Sequence, residues 1–273
     1  SPDAVHRDVG DAVGTLAAST NVINVEYRAP HLAHAALEPI TAVGHYSGGK
    51  LHIWTAIQIP TVAKKKAAEV AGIDEDDVHL HVTVVGGSFG RRTELDYIVQ
   101  IATIAKAMPD RPVKLTWRRE EDTQQDFYRP SALARMQGVM GEDGRPKAMQ
   151  MDIISQSTTR GWGQRVGLGI PGPDRILAEG AGDAPYAAEN HQVRAFASSL
   201  EVPGGFWRSV GASYNGFFHE CFLDELAHSG GRDPMEMRLA MTQGTFAQAH
   251  AVLQKLRALS KWDQSLAENK ARG

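Results

Sequence analysis

The sequence has 273 residues, 42% hydrophobic and 22% charged, which suits a folded chain with a sizeable core and excludes a disordered one. Lys and Arg number 29 against 32 Asp and Glu, a net charge of −3, so no basic excess is present to neutralise a nucleic-acid backbone. A lone cysteine, Cys221, excludes an internal disulfide framework and a multi-thiolate or iron–sulfur site in this chain, and no apolar run approaches the roughly 18 residues of a membrane span.

Residues 1–20 are polar and rich in Ala, Gly and Asp, and read as a lead-in strand or linker without signal-peptide character. Over residues 21–28, Ile23, Val25 and Tyr27 share one parity and Val22, Asn24 and Glu26 the other, the pattern of a half-buried strand that Pro30 ends. Residues 41–46 and 50–57 flank Ser47-Gly48-Gly49 as a hairpin, and after Pro60 the residues Val62, Ala63, Ala67, Val70 and Ala71 recur at helical spacing. A strand over 78–85 runs into Gly86-Gly87-Ser88-Phe89-Gly90 and then a helix over 93–108, with Leu95, Ile98, Ala102 and Ala105 on its buried stripe. A strand at 113–117 precedes a second hairpin, 132–140 with 147–157, around Gly141-Glu142-Asp143-Gly144. Residues 158–190, rich in Gly and Pro, read as a long irregular stretch of the functional, interfacial or mobile kind. A strand at 191–200, the turn Pro203-Gly204-Gly205, a helix over 213–229 and two short helices complete the chain. Hairpins mixed with helices predict an α+β fold of mixed sheets with packed helices.

The strongest local signal for chemistry is the glycine loop. Glycines between a strand and a helix allow left-handed backbone angles and close approach to a ligand, successive N–H groups form an anion site, and Arg91 and Arg92 add charge. The loop lacks the spacing of a Walker A or a dinucleotide fingerprint, so a cofactor or anion site and a tight structural turn both stand. His31, His34 and Glu38, and separately His79 with His81, have metal-ligand spacings but no obvious completing partner. Trp207-Arg208-Ser209-Val210-Gly211 sets a cation between an aromatic and small residues ahead of a helix, where a surface salt bridge is the plain alternative.

Several of these segments together resemble one family, the molybdopterin-binding large subunits of xanthine dehydrogenases and aldehyde oxidases. The glycine loop resembles its Gly-Gly-Gly-Phe-Gly segment; Tyr27-Arg28-Ala29-Pro30 with His34-Ala35-Ala36-Leu37-Glu38-Pro39 resembles its strand ending in Glu-Pro; Gln58-Ile59-Pro60 resembles its Gln-x-Pro. Arg111-Pro112-Val113-Lys114, Arg118-Arg119-Glu120-Glu121-Asp122 and Trp207-Arg208-Ser209-Val210-Gly211 follow in the family's order. Ser88 in place of the third glycine and Arg91-Arg92-Thr93 after the loop are most like isoquinoline 1-oxidoreductase and related bacterial aldehyde dehydrogenases.

The resemblance implies a molybdopterin-binding domain over 21–244, part of a larger subunit, between the lead-in at 1–20 and a C-terminal helical segment at 245–273. It implies a molybdenum–molybdopterin cofactor, in the family commonly the cytosine dinucleotide, with no protein atom as metal ligand. Gly86, Gly87, Ser88, Phe89, Gly90, Arg91, Gln58 and Arg208 would hold the cofactor, and Trp207 and Val210 would line the substrate pocket. The implied reaction oxidises an aldehyde or N-heterocycle with water as oxygen donor, and the implied partners are a small [2Fe–2S] electron-transfer subunit and the remainder of the large subunit. Purines are disfavoured, because Thr93 stands where a purine-orienting glutamate would follow the loop. The family's general-base glutamate sits in a late Gly-Glu segment; Gly141-Glu142 and Arg119-Glu120 have the wrong context, so that base is expected outside this chain, which alone would be inactive. A non-catalytic binding or assembly module of the same fold is the alternative. Related large subunits often carry a twin-arginine export signal, which makes the periplasm the expected compartment of the complete protein.

Overall fold

Residues 1–270 are described in a computed structural model of the protein. In chain order the first half runs β1 (Ala4–Val9), α1 (Ala12–Ala17), β2 (Ile23–Ala29), β3 (Thr41–Ser47), β4 (Lys50–Thr55), α2 (Pro60–Ala71), β5 (Val78–Val82), α3 (Asp96–Ala107) and β6 (Val113–Thr116). The second half runs α4 (Arg119–Gln124), β7 (Ala132–Met140), β8 (Pro146–Gln156), α5 (Thr158–Arg165), β9 (Asn190–Ser198), α6 (Ala212–Ser229), α7 (Pro234–Thr242) and α8 (Ala247–Ser260).

The alternating segments build a five-stranded sheet in the order β1-β9-β8-β7-β2. Val25 pairs with Met136, Met136 with Met151, and Met151 with Val193, so one apolar row crosses four strands on a single face. That face packs on Phe218, Phe222, Leu223 and Leu226 of α6 and on Met237 and Met241 of α7. The opposite parity is polar: Glu26 faces Arg135, Asn24 faces Gln137 and Asp152 faces Arg194. This is the composition of a sheet with one dry face and one wet one.

Between β2 and β7 the chain forms a second, smaller unit, the sheet β5-β4-β3-β6 covered on one face by α2 and α3. Its own core comprises Leu51, Ile53, Ala63, Ala67, Ile98, Ile101 and Ala105. At Gly44 an added Cβ would lie 2.9 Å from Ile101, so glycine lets α3 settle directly on β3.

Several boundaries differ from those read in the sequence. Of the two readings of residues 1–20 the strand is the one found: β1 is an edge strand of the large sheet, paired with β9, and α1, unexpected from the sequence, packs across its end with Leu16 beside Val139 and Ala148. The 158–190 stretch contains α5 and a 3-10 turn whose Leu177 and Ala178 join the large core. β5 stops at Val82 rather than residue 85, because its partner β4 stops at Thr55, the residue registered with Val82. The C-terminal segment forms the 14-residue α8, longer than a short helix, and residues 271–273 lie outside the described residues. No described helix is long and apolar enough to cross a membrane.

Candidate functional site

The glycine loop leaves the end of β5 and returns through a 3-10 turn (Arg91–Thr93) into α3. Gly87, Phe89 and Gly90 have left-handed φ of 105°, 57° and 112°. Alternation of this kind turns successive N–H groups to one side. Among the described residues, the N–H groups of Gly87, Ser88, Phe89 and Gly90 donate to no protein acceptor. Four free donors in a row form a cradle for an anionic or acceptor-rich ligand, which fits a phosphate-bearing pterin cofactor.

The loop is fastened from below. Glu38 accepts the Gly86 N–H at 2.6 Å and lies 3.4 Å from the Arg92 guanidinium. The Ser88 hydroxyl donates to the Gln58 side-chain oxygen and accepts the Arg92 N–H at 3.0 Å, while the Gln58 N–H donates to the Arg92 carbonyl at 3.0 Å. Serine at the third position of the loop therefore ties it to Gln58, a bond that glycine there could not make.

Trp207 and Arg208 come to the same place from the far end of the chain. The Arg208 N–H donates to the Phe89 carbonyl at 2.7 Å. A Cβ on Gly90 would sit 1.9 Å from the Phe206 carbonyl oxygen, so only glycine lets the two backbones meet. Ser209 and Val210 then take left-handed φ of 67° and 43°, an unfavourable backbone for a β-branched residue. The Arg208 side chain is exposed and makes no described hydrogen bond or ion pair, which rules out the surface salt bridge. The Trp207 ring lies under Arg129 at 5.6 Å, and its indole N–H is buried without a partner among the described residues. Exposed Gln58, the loop donors, Arg208, Trp207 and Val210 thus share one junction between the two sheet units.

Arg91 and Arg92 are corrections: they add no charge to the outer side of the loop. Arg91 is 2% exposed, bonded to Asp96 at 2.6 Å and lying between the Trp117 and Phe127 rings at 5.4 and 5.3 Å. Burial acts against its charge, but Asp96 and Asp126 outweigh that and raise its pKa above the ordinary arginine range. Arg92, 1% exposed, donates to the Ala56 carbonyl at 3.2 Å and lies over Tyr97. The metal spacings dissolve in the same way. His31 meets Gln156 at 3.3 Å, His34 meets Asp126, and Glu38 holds the loop. His79 and His81 do share a face of β5, where they stack with His52 and Trp54 on the uncovered side of the small sheet. Among the described residues no three His, Cys, Asp or Glu are arranged to hold a metal ion.

Residues that sequence reasoning missed support the junction. Trp162 of α5 donates its indole N–H to the Thr93 carbonyl at 2.9 Å, and Arg165 grips buried Glu94 with bonds of 2.8 and 2.7 Å. Arg165 also reaches the Gly204 carbonyl at 2.9 Å and stacks over Phe127 at 4.4 Å. A cavity of about 1350 Å³ lies at the opposite end of the large sheet, lined by Ile23, Val139, Lys147 and Gly230. It contains none of these groups.

Residues 2–241 match the family model described as the molybdopterin cofactor-binding domain. The chain belongs to this family. It is 31% identical over 238 residues to a membrane-bound aldehyde dehydrogenase (pyrroloquinoline-quinone) of Gluconacetobacter polyoxogenes, covering 82% of this chain and 30% of that protein. It is 28% identical over 239 residues to the isoquinoline 1-oxidoreductase subunit beta of Brevundimonas diminuta, covering 86% and 30%. The chain thus spans 30% of the length of either relative. Among solved structures, quinoline 2-oxidoreductase from Pseudomonas putida 86 superposes with a TM-score of 0.78 at 18% identity over 95% of this chain and 35% of that one. The aldehyde oxidoreductase of Desulfovibrio gigas gives 0.75 at 22%, over 96% and 30%. These two share the α+β fold of the molybdopterin domain, with its mixed sheets and packed helices.

Proposed function

We propose that this chain forms part of the cofactor pocket of a molybdenum hydroxylase that oxidises an aldehyde or an N-heterocycle with water as oxygen donor. The observation that carries the reading is the row of four loop N–H groups with no acceptor among the described residues, beside which the exposed Arg208 is fastened through its backbone N–H to the Phe89 carbonyl, in a chain of the molybdopterin family. The relatives named for aldehydes and for isoquinoline support the substrate classes.

When bound, the molybdopterin cofactor, proposed as its cytosine dinucleotide, supplies the two-electron oxidation and the site at which water is activated. The protein's residues bind and orient. The N–H groups of residues 87–90 hold acceptor atoms of the cofactor, Gln58 hydrogen-bonds its metal end, and Arg208 stabilises negative charge that develops beside the substrate. Trp207 and Val210 form a wall of the substrate pocket, and the strained Ser209–Val210 backbone sets their angle. The general base comes from outside these residues. Electrons leave through a partner subunit carrying [2Fe–2S] clusters.

The test uses the complete enzyme complex purified from its native host. Molybdenum by mass spectrometry is expected near one per large subunit, and Arg208→Ala and Gln58→Ala are each expected to lower turnover about 100-fold or more. Near-normal turnover in both variants refutes the site. Absence of molybdenum refutes the enzyme reading in favour of a non-catalytic module, and recovery of a quinone instead would side with the cofactor printed in the Gluconacetobacter protein's name.

A further inference from the structure

The turn that presents Arg208 is strained and lies far along the chain from the glycine loop, so something must hold it in place. Ser209 and Val210 in left-handed geometry persist only where neighbours over-determine them. The anchor at the start of this turn is a buried histidine. His34, on the connection between β2 and β3, has its side chain 2% exposed, as has Asp126. Its backbone N–H donates to Asp126 Oδ2 at 2.6 Å, its ring Nδ1 lies 2.8 Å from Asp126 Oδ1, and its Nε2 lies 2.7 Å from the Phe206 carbonyl oxygen. Among the described residues no other group donates to that carbonyl.

Both ring nitrogens therefore face acceptors. A carbonyl oxygen only accepts, so the contact to Phe206 is a hydrogen bond with Nε2 as donor, while Asp126 holds the ring through Nδ1 and the His34 backbone N–H. Asp126 is fixed in turn, 3.2 Å from the Arg91 Nε that follows the glycine loop. The carbonyl His34 grips is the same atom that abuts Gly90, and two residues on, the Arg208 N–H closes onto Phe89. The chain of contacts Arg91–Asp126–His34–Phe206 thus joins the loop to the turn from behind.

We propose that His34 is a positioning residue: held by Asp126, it clamps the Phe206 carbonyl and so keeps Trp207 and Arg208 against the glycine loop. Its consequence for catalysis rests on the cofactor-facing role of Arg208 proposed above; the clamp itself does not.

Hydrogen exchange on the full chain tests the clamp, comparing wild type with His34→Gln and Asp126→Asn, and with His52→Gln on the uncovered sheet face as control. The amides of Arg208 and Val210 are expected to exchange at least about tenfold faster in the first two variants, with β7, β8 and the control unchanged. Unchanged exchange at 206–210 overturns the clamp. Should either variant fail to fold, nitrogen-15 spectra of the wild-type chain decide: a hydrogen on His34 Nε2, bonded to the Phe206 carbonyl, is expected, and a bare Nε2 overturns the proposal. In the complete enzyme, His34→Gln is expected to lower kcat about tenfold or more, and to lower it no further in an Arg208→Ala background. Losses that multiply show that His34 does not act through Arg208 and overturn the catalytic consequence. Normal turnover of Arg208→Ala alone refutes the assigned role of Arg208, whereas the exchange result still decides the clamp.

Discussion

Two histidines in the large core make the fold sensitive to mild acid. His191 on β9 and His219 on α6 are each 1% exposed, with ring centroids 6.2 Å apart. Arg7 of β1 lies 3.3 Å from His191 Nδ1, Tyr186 packs edge-on to His219, and Arg238 of α7 lies close enough to oppose its charging. Burial first, then Arg7, lowers each ring from 6.5 to about 3, with His219 adding to the effect on His191 and Arg238 to that on His219. A base whose folded pKa is depressed destabilises the fold once the unfolded chain takes up the proton that the folded one refuses. Stability is therefore unaffected above pH 6.5 and falls as pH drops from 6.5 toward 3. At pH 5 the unfolded chain is 1.5 units below the ordinary histidine pKa, a loss of about 2 kcal/mol per ring and about 4 kcal/mol for the pair. Against a typical stability of roughly 5–15 kcal/mol this is a large share. His219→Phe keeps the ring contact with Tyr186 and removes two buried nitrogens that have no partner. Urea unfolding followed by circular dichroism from pH 7 to pH 5 should show wild type losing about 2 kcal/mol more than the variant. A wild-type minus variant difference that does not change over that range refutes the reasoning.

Gly90→Ala should destabilise the chain by at least about 1–3 kcal/mol from backbone strain alone, because φ is 112° and the new Cβ would meet the Phe206 carbonyl; the urea midpoint measures it, and an unchanged midpoint contradicts the close approach. Arg165→Met leaves buried Glu94 without its partner and should lower stability by about 3–5 kcal/mol in thermal unfolding. Pairing that change with Glu94→Leu should recover most of the loss, since the charge that needed compensation is gone.

Elements whose cause is local were legible. The parity of Ile23, Val25 and Tyr27 placed them on the inner face of β2, and the two glycine-bearing turns placed both hairpins. Pro60 at the start of α2 was legible for the same reason, since its ring sets the angle the first helical residue needs. Elements whose cause lies elsewhere in the chain were not. Whether residues 4–9 form strand or linker stays open in the sequence because β9 supplies the edge that decides it, and α5, with two glycines among eight residues, is a helix because Thr93, Glu94 and Gly204 hold its Trp162 and Arg165. Neither partner can be found by reading along the sequence.

The site divides along the same line. The residue pattern by itself pointed to the family through the resemblance of several short motifs, and to a left-handed glycine loop between strand and helix, because glycine spacing is a property of a short segment. Only the tertiary structure decided which charges face outward. Arg91 and Arg92, adjacent to the loop, turn into the interior because Asp96, Asp126 and Glu38 wait there, whereas among the described residues no acid pairs with Arg208. His31, His34 and Glu38, spaced like metal ligands, are sent by the fold to three different partners. A charged side chain goes where its desolvation is compensated, and that depends on residues brought near by folding rather than by order along the chain.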